Sequence, residues 1–289
     1  MPAAPEAVAR AERLLGGEAV TWERVAYRGW SRNEHFTLAL AGGTRAFVKE
    51  AALEPSTQWV RDELRVLEQL DGAPFAPRVL AFEDGERPLL VLEDLGPGAY
   101  WPPPWRPGDV EAVLATLAEV AAAPAPDVPP FRGWRGWRRV ADDPAPFLSL
   151  GVASKAWLDR ALPALLEAEA APADGDALLH GDVRSDNLCV RDGRAVLVDW
   201  NHARLGPAAL DVAIWLPSLS LEGGPDPAEA ARLAPAANEL AAQVAGFFAA
   251  ASGLPPPEGA PRVRGFQLAQ LEVALPWACE VLGLEPPDR

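Results

Sequence analysis

Eight consecutive residues carry most of the chemistry this sequence can do. The run His180-Gly181-Asp182-Val183-Arg184-Ser185-Asp186-Asn187 precedes two short apolar stretches, 188–191 and 195–198, that flank Asp192-Gly193, a tight-hairpin dipeptide. The second stretch runs into Asp199. A hairpin returns the chain to its starting point, so Asn187 and Asp199 are expected to meet. Their amide and carboxylate oxygens suit a hard divalent cation such as Mg²⁺. Asp182 would stand at the edge of that metal site, where it can orient or deprotonate a hydroxyl. Any one of the three fits an ordinary turn. All three, at this spacing around a hairpin, point to catalysis. His180 reads as a residue that shapes the loop. Arg184 has two readings, a cation for a transferring phosphoryl group or a surface charge.

The surrounding elements must bring other groups to this loop. Residues 5–15 read as a helix stopped by Gly16-Gly17, and 19–27 as a strand. Two β-like runs, 35–40 and 44–50, join through Ala41-Gly42-Gly43. Ser56 is a candidate N-cap for a helix over 57–70, where Val60, Leu64, Leu67 and Leu70 form an apolar stripe and Glu63 falls on a neighbouring face. Strands are expected at 78–82 and 88–93, turning at Asp84-Gly85. The Pro- and Gly-rich stretch 96–108 reads as a boundary. Beyond it helices are expected at 109–122, 152–170, 208–219, 226–251 and 261–283. The fold class is therefore α+β in two lobes: a small antiparallel-sheet lobe, 1–95, and a larger, mainly helical lobe, 96–289. A ligand site is expected between them.

Composition narrows the partners. The 289 residues carry a net charge of -15, which opposes binding to nucleic acid or an anionic membrane. The Arg/Trp segment 131–139 then reads as amphipathic packing. The N-terminus has neither the basic nor the apolar region of a signal peptide, and the apolar stretch 240–251 is too short to span a bilayer. Cys189 and Cys279 lie far apart in the sequence, without a CxxC pattern. A reduced, cytoplasmic chain is the simpler reading; a disulfide between them stays open. Glu272 and Glu280 read as an exposed acidic face. Only two lysines occur, Lys49 and Lys155, with four asparagines and three histidines. Lys49 ends the strand-like run Ala46-Phe47-Val48-Lys49, and Lys155 suggests no role.

The motif His-Gly-Asp-x-x-x-x-Asn at 180–187, followed by a hairpin and Asp199, resembles the catalytic segment of the aminoglycoside phosphotransferase/choline kinase family, relatives of the protein kinases. Gly181, and Trp200-Asn201 after Asp199, favour a small-molecule kinase over a protein kinase. The resemblance implies a two-lobed protein-kinase-like fold that uses ATP or GTP with Mg²⁺. It implies that Lys49 neutralises nucleotide phosphates, held by Glu63. The turn at 29–33, with Ser31, would cover the phosphates, and the connector 91–96, with Glu93 and Leu95, would meet the purine. Asn187 and Asp199 would hold the metal. Asp182 would orient the acceptor hydroxyl, and Arg184 is a candidate partner of the phosphoryl group. Asp211, in Gly206-Pro207-Ala208-Ala209-Leu210-Asp211, would brace the loop through backbone hydrogen bonds. The turn at 29–33 has one glycine, so glycine-rich phosphate coverage is not supported, and no Ala-Pro-Glu follows Asp199 where an activation loop would lie.

The function implied is transfer of a γ-phosphate to a small hydroxylated acceptor, with aminoglycosides or other antibiotic-like molecules in front. A metabolic kinase for choline, an amino alcohol or a sugar is the alternative. So is a nucleotide-binding regulator without turnover.

Overall fold

A computed structural model describes residues 5–25, 33–171, 174–257 and 260–288. The first element, α1 (Glu6–Leu15), buries Ala7, Val8 and Ala11 and ends at Gly16, whose φ of 69° closes the helix. Strands β1 (Ala19–Arg24), β2 (Glu34–Leu40), β3 (Arg45–Glu50), β4 (Val79–Glu83) and β5 (Leu89–Glu93) form one antiparallel sheet in the order β1-β2-β3-β5-β4. Strand periodicity gives this sheet two different faces. One carries Phe36, Leu38, Leu40, Ala46, Val48, Leu89 and Val91 against α1. The other carries Leu90 and Leu92 toward helix α2 (Ser56–Gln69), whose Val60, Val66 and Leu67 belong to the main core.

The remaining chain is mostly helical: α3 (Asp109–Ala122), α4 (Gly136–Asp142), α5 (Ala145–Leu148), α6 (Lys155–Ala170), α7 (Leu210–Leu221), α8 (Pro227–Ala230), α9 (Ala241–Ser252) and α10 (Val263–Leu282). Two small ribbons interrupt the helices, β6 (Ala177–Leu179) with β9 (Arg204–Gly206), and β7 (Leu188–Arg191) with β8 (Arg194–Leu197). Trp137, Trp157, Trp200 and Trp215 are wholly buried here. Each removes on the order of 200 Å² from water, about 5 kcal/mol of transfer free energy.

The two-lobed, kinase-like architecture expected from the sequence is the one observed. Several local expectations are corrected. Ser56 is not the N-cap of α2 but its first residue. Pro55 takes the cap position, and the Ser56 N–H is already engaged by Leu53 O at 2.9 Å. The helix expected at 226–251 is broken into α8, a 3₁₀ turn Pro235–Leu240 and α9. Pro227 opens α8 at its first position, where no N–H is needed, whereas Pro235 lacks the N–H that a helix continuing from α8 would require. Helices α4 and α5 and the ribbon β6–β9 had no expectation. Both cysteines are free and buried. Lys155 forms an exposed i,i+4 pair with Asp159. In the Arg/Trp segment Trp137 is core, its indole N–H bonded to Ala242 O at 2.8 Å. No helix among the described residues is long and apolar enough to cross a membrane.

Candidate active site

The cleft between the sheet and the helical region is lined by β2 and β3, by the connector after β5 and by the loops around β7 and β8. Its upper wall follows from strand register. Lys49 on β3 points away from α1, into the cleft, and is buried at 6 % exposure. Helix α2 presents Glu63, 1 % exposed, from below the sheet. The Lys49 ammonium meets Glu63 Oε2 at 2.6 Å and Asp199 Oδ1 at 2.5 Å. One cation thus joins β3, α2 and the turn after β8. Burial pushes the Glu63 carboxyl above its usual range, and the opposing Lys49 charge recovers only part of this. Burial acts the same way on Asp199, but there Lys49, by charge and hydrogen bond, overcomes it and holds the group at about 2.

The lower wall is suspended from α7. Asp211, in the first turn of α7 and 2 % exposed, accepts the His180 N–H at 2.6 Å and the Gly181 N–H at 2.9 Å. The backbone brace expected of Asp211 is present. Burial raises its pKa, although these two donors favour the carboxylate. At the other end of α7, Glu222 Oε1 accepts the Ser185 hydroxyl at 2.5 Å. One helix therefore grips the loop both before and after Asp182. Gly181 is required twice over. Its φ is 82°, and a Cβ there would lie 2.3 Å from His202 O. His180 shapes the loop as expected. Its Nδ1 accepts the Asp182 N–H at 3.3 Å, which leaves Nε2–H to donate to Val198 O at 2.9 Å.

The hairpin does what its sequence implied. The Val198 N–H bonds Asn187 O at 2.9 Å, so Asn187 and Asp199 become neighbours. Asn187 Nδ2 donates to both the backbone oxygen and Oδ2 of Asp182, each at 2.9 Å. Two oxygens on that side fix the amide orientation. Asn187 Oδ1 is left buried without a hydrogen-bond partner. With the Asp199 carboxylate it supplies the hard oxygen donors that Mg²⁺ takes. Among the described residues no group of three or more His, Cys, Asp or Glu side chains could hold a metal. These two oxygens would therefore hold an ion whose coordination is completed by phosphate and water.

Asp199 adopts the left-handed conformation, φ 68° and ψ 54°, uncommon for a residue with a side chain. It is held from behind. Trp200 is wholly buried, donates its indole N–H to Leu197 O at 2.9 Å, and packs on Phe75 and His180. Trp200-Asn201 thus begins a 3₁₀ turn, Trp200–His202, anchored in the core.

Arg184 lies inside this group. Its guanidinium is 3.1 Å from Asp186 Oδ2 and 3.6 Å from Asp182 Oδ2. Glu93 and Leu95 line the cleft at the connector, where the Glu93 carboxylate accepts the Arg78 N–H at 3.0 Å. Ser31, with most of the turn at 29–33, lies outside the described residues. The structure adds cleft-lining residues that sequence reasoning missed: His35, Trp101 and Asp186. His35 had a signal, since it faces Lys49 across the β2–β3 hairpin. Trp101, after the Gly-Pro-Gly turn, had none.

A cleft of this build, with a lysine–glutamate pair above and an Asp/Asn/Asp loop below, defines a kinase-like phosphotransferase. The chain belongs to the phosphotransferase enzyme family, whose profile matches residues 24–247, well over half of it. It is a small-molecule kinase or phosphotransferase. Among solved structures it resembles a thermostable mutant of aminoglycoside phosphotransferase APH(4)-Ia, with 15% identity, a TM-score of 0.62, and 96% of this chain and 98% of that one covered. It also resembles a putative fructosamine-3-kinase from Thermobifida fusca YX-ER1, with 21% identity, a TM-score of 0.57, and 94% and 99% covered. A third is a mutant of aminoglycoside 2'-phosphotransferase-IIIa in complex with GDP, with 13% identity, a TM-score of 0.59, and 91% and 92% covered. At these identities the likeness speaks for the fold. No curated protein matches the chain.

Proposed function

We propose that the protein transfers the γ-phosphoryl group of ATP or GTP to a hydroxyl of a small acceptor, with an aminoglycoside or similar antibiotic-like molecule as the leading acceptor. Residues 1–95 form the nucleotide-binding lobe, and 96–289 carry the catalytic loop and the acceptor site. The observation that carries this reading is the Lys49 ammonium between Glu63 and Asp199. Residues distant in sequence converge on one cation in a cleft also lined by Asn187, the hydrogen-bond partner of Asp182, and a purely structural ion pair would have no need of that loop.

In this reading Lys49 binds nucleotide phosphate, and Glu63 fixes its position. The backbone at Glu93 and Leu95 meets the base. Asn187 and Asp199 would hold Mg²⁺, which when bound would supply charge neutralisation for the nucleotide phosphates. Asp182 accepts a hydrogen bond from the acceptor hydroxyl and aims its oxygen at the γ-phosphorus. As the new P–O bond forms and the bridging P–O bond breaks, the hydroxyl proton passes to the Asp182 carboxylate. Asn187 holds that carboxylate by its Nδ2–H. Arg184, already close to Asp182, is placed to neutralise the moving phosphoryl charge. Phosphoryl transfer draws mainly on positioning and electrostatics, and this inventory supplies both.

Two supports bear on the acceptor. Hygromycin B is bound in a ternary complex of a structural relative, and the net charge of -15 favours cationic over anionic acceptors. Choline-like alcohols, amino alcohols and sugars are the competing class. A screen of nucleotide consumption with ATP and GTP across these acceptors decides. Turnover with an aminoglycoside supports the leading acceptor, and turnover only with a metabolic alcohol replaces it. Tight nucleotide binding with no turnover on any class favours a regulator. The reaction needs nucleoside triphosphate, and the cytoplasm is the compartment we assign.

A further inference from the structure

We propose that Trp101 is a specificity residue of the nucleotide site, its indole lying against the C–H groups of the ribose. The inference rests on the nucleotide reading above and gives that site a residue outside the family motif, drawn from the Pro-rich stretch after the connector.

The cleft has two ends. Glu93, Leu95 and Gly96 of the connector line the one where a base is read, and Lys49, Asn187 and Asp199 line the one where phosphates belong. A nucleotide laid between them carries its sugar across the middle. The chain makes the same crossing. Beyond Gly96 it reaches Tyr100, whose N–H donates to Val190 O at 2.8 Å and whose carbonyl accepts the Val190 N–H at 2.7 Å. Val190 belongs to β7, the strand that leaves Asn187. Trp101 therefore follows the point where the segment has left the connector and docked beside the catalytic loop. It lines the same cleft as Gly96 and Asp186.

The residue is fixed in place without being packed away. Trp101 is 41 % exposed, the only exposed tryptophan among the described residues. Its backbone is held on both sides. Tyr100 is paired to β7, and Pro102 confines the residue before it to extended conformations. Tyr100 also ties the stretch to itself. Its hydroxyl donates to Pro104 O, and the Arg106 guanidinium lies over its ring, 3.2 Å from the centroid. A large aromatic side chain on a fixed backbone loses little freedom when a ligand covers it. The chemistry selects the sugar. Phe47, Leu92, Leu95 and Val198 already give the cleft apolar surface for a base. Phosphates gain nothing from an apolar ring. Ribose presents C–H groups that an indole removes from water, while its hydroxyls stay free for solvent or polar groups.

The test compares wild type, Trp101→Ala and Trp101→Phe in equilibrium titrations with adenine, adenosine, ADP with Mg²⁺, and inorganic tripolyphosphate with Mg²⁺. We expect adenosine and ADP to bind Trp101→Ala about tenfold more weakly, and adenine and tripolyphosphate to bind it as they bind wild type. Trp101→Phe, which keeps a flat ring, should recover much of the loss. GDP should lose as much as ADP, since the sugar is common to both. An equal loss for adenine would overturn the sugar assignment, because the ring would then meet the base. A loss that extends to tripolyphosphate, with a lowered unfolding midpoint, would show a merely structural role. Unchanged ADP affinity in Trp101→Ala would overturn the proposal outright and leave the ring to the acceptor. Wild type that binds neither ADP nor GDP would sink the nucleotide reading itself, and this assignment with it.

Discussion

The two walls of the cleft hold their functional side chains by different means. On the upper wall, β-strand register alone decides which residues face the ligand. His35, Thr37, Phe47 and Lys49 sit there because their neighbours Phe36, Leu38, Ala46 and Val48 are needed against α1. On the lower wall there is no repeating pattern. Asp182, Arg184 and Asn187 sit in a loop whose geometry is set by Asp211, Ser185–Glu222, His180 and the packing of Trp200. The upper wall should lose function without losing shape when a cleft residue is changed. The lower wall should lose shape when a brace is changed, even one remote from any ligand.

The largest effect expected is on the reacting group. Asp182→Asn keeps the size of the side chain and removes its proton-accepting charge. Turnover should fall by roughly 10²–10⁴-fold, the range for general acid–base groups. Nucleotide affinity, measured by titration, should stay near wild type. Near-normal turnover would remove Asp182 from its proposed role.

Next comes the brace. Asp211→Ala leaves the His180 and Gly181 N–H groups buried without partners, at a cost of about 1–3 kcal/mol each. Denaturant unfolding should show a loss of several kcal/mol, with activity lost alongside. Gly181→Ala should act similarly, since its Cβ cannot fit beside His202 O. Glu63→Gln tests the other wall. It should lower kcat/KM for the nucleotide while shifting the unfolding midpoint much less than Asp211→Ala. Equal destabilisation by both would erase the distinction between the walls.

The same contrast explains what could be seen in the sequence. The lower wall was legible as a motif, because the catalytic loop we propose needs particular residues at fixed offsets, and 180–187 with Asp199 carry them. Asp211 was legible for the same reason. Lys49 was legible from strand pattern and scarcity. Glu63, by contrast, lies beside the apolar stripe of α2, and only its expected partner marked it. Glu222 was not legible at all. It follows α7 by one residue, and nothing local distinguishes it from the solvated glutamates of a chain with 41 acidic residues. Trp101 was hidden by the Pro-rich stretch, whose path over the cleft is set by tertiary contacts such as the Tyr100–Val190 bridge. The helix expected at 226–251 failed because apolar periodicity continued across Pro235.

Acid acts with opposite sign on His35 and on three carboxyls of the lower wall. A free histidine titrates near 6.5, but burial, with the Lys49 charge behind it, holds His35 down to about 3. Between those values the unfolded chain binds a proton that the folded protein refuses. Stability from this residue is therefore lost as pH falls from about 6.5 toward 3, and nothing is lost above 6.5. The full effect is on the order of a few kcal/mol. On the lower wall burial raises Asp211, Asp186 and Glu222 above their unfolded values. There the folded form binds protons more readily, so these groups gain stability as pH falls through their raised pKa values. Thermal unfolding of wild type and His35→Gln between pH 7 and pH 4 should converge at neutral pH, with the variant falling less steeply in acid. Parallel curves would show that His35 is protonated in the folded protein.

The smallest effect tests the least visible contact. Ser185→Ala removes the hydrogen bond to Glu222 but leaves Asp211 at the other end of α7 in place. A hydrogen bond to a charged group contributes about 1.5–3 kcal/mol, less when the carboxylate can turn to water. Global stability should fall by roughly 1 kcal/mol. The sharper readout is kinetic. The Arg184–Asn187 end of the loop would lose its tie while the His180–Gly181 end kept its own. Turnover should therefore drop by several-fold, more than the stability loss implies, with nucleotide affinity unchanged. Glu222→Gln, whose amide oxygen can still accept from Ser185, should fall between wild type and Ser185→Ala. If Ser185→Ala changes stability but not turnover, a single hold at Asp211 suffices to position the loop, and the second grip serves only the fold.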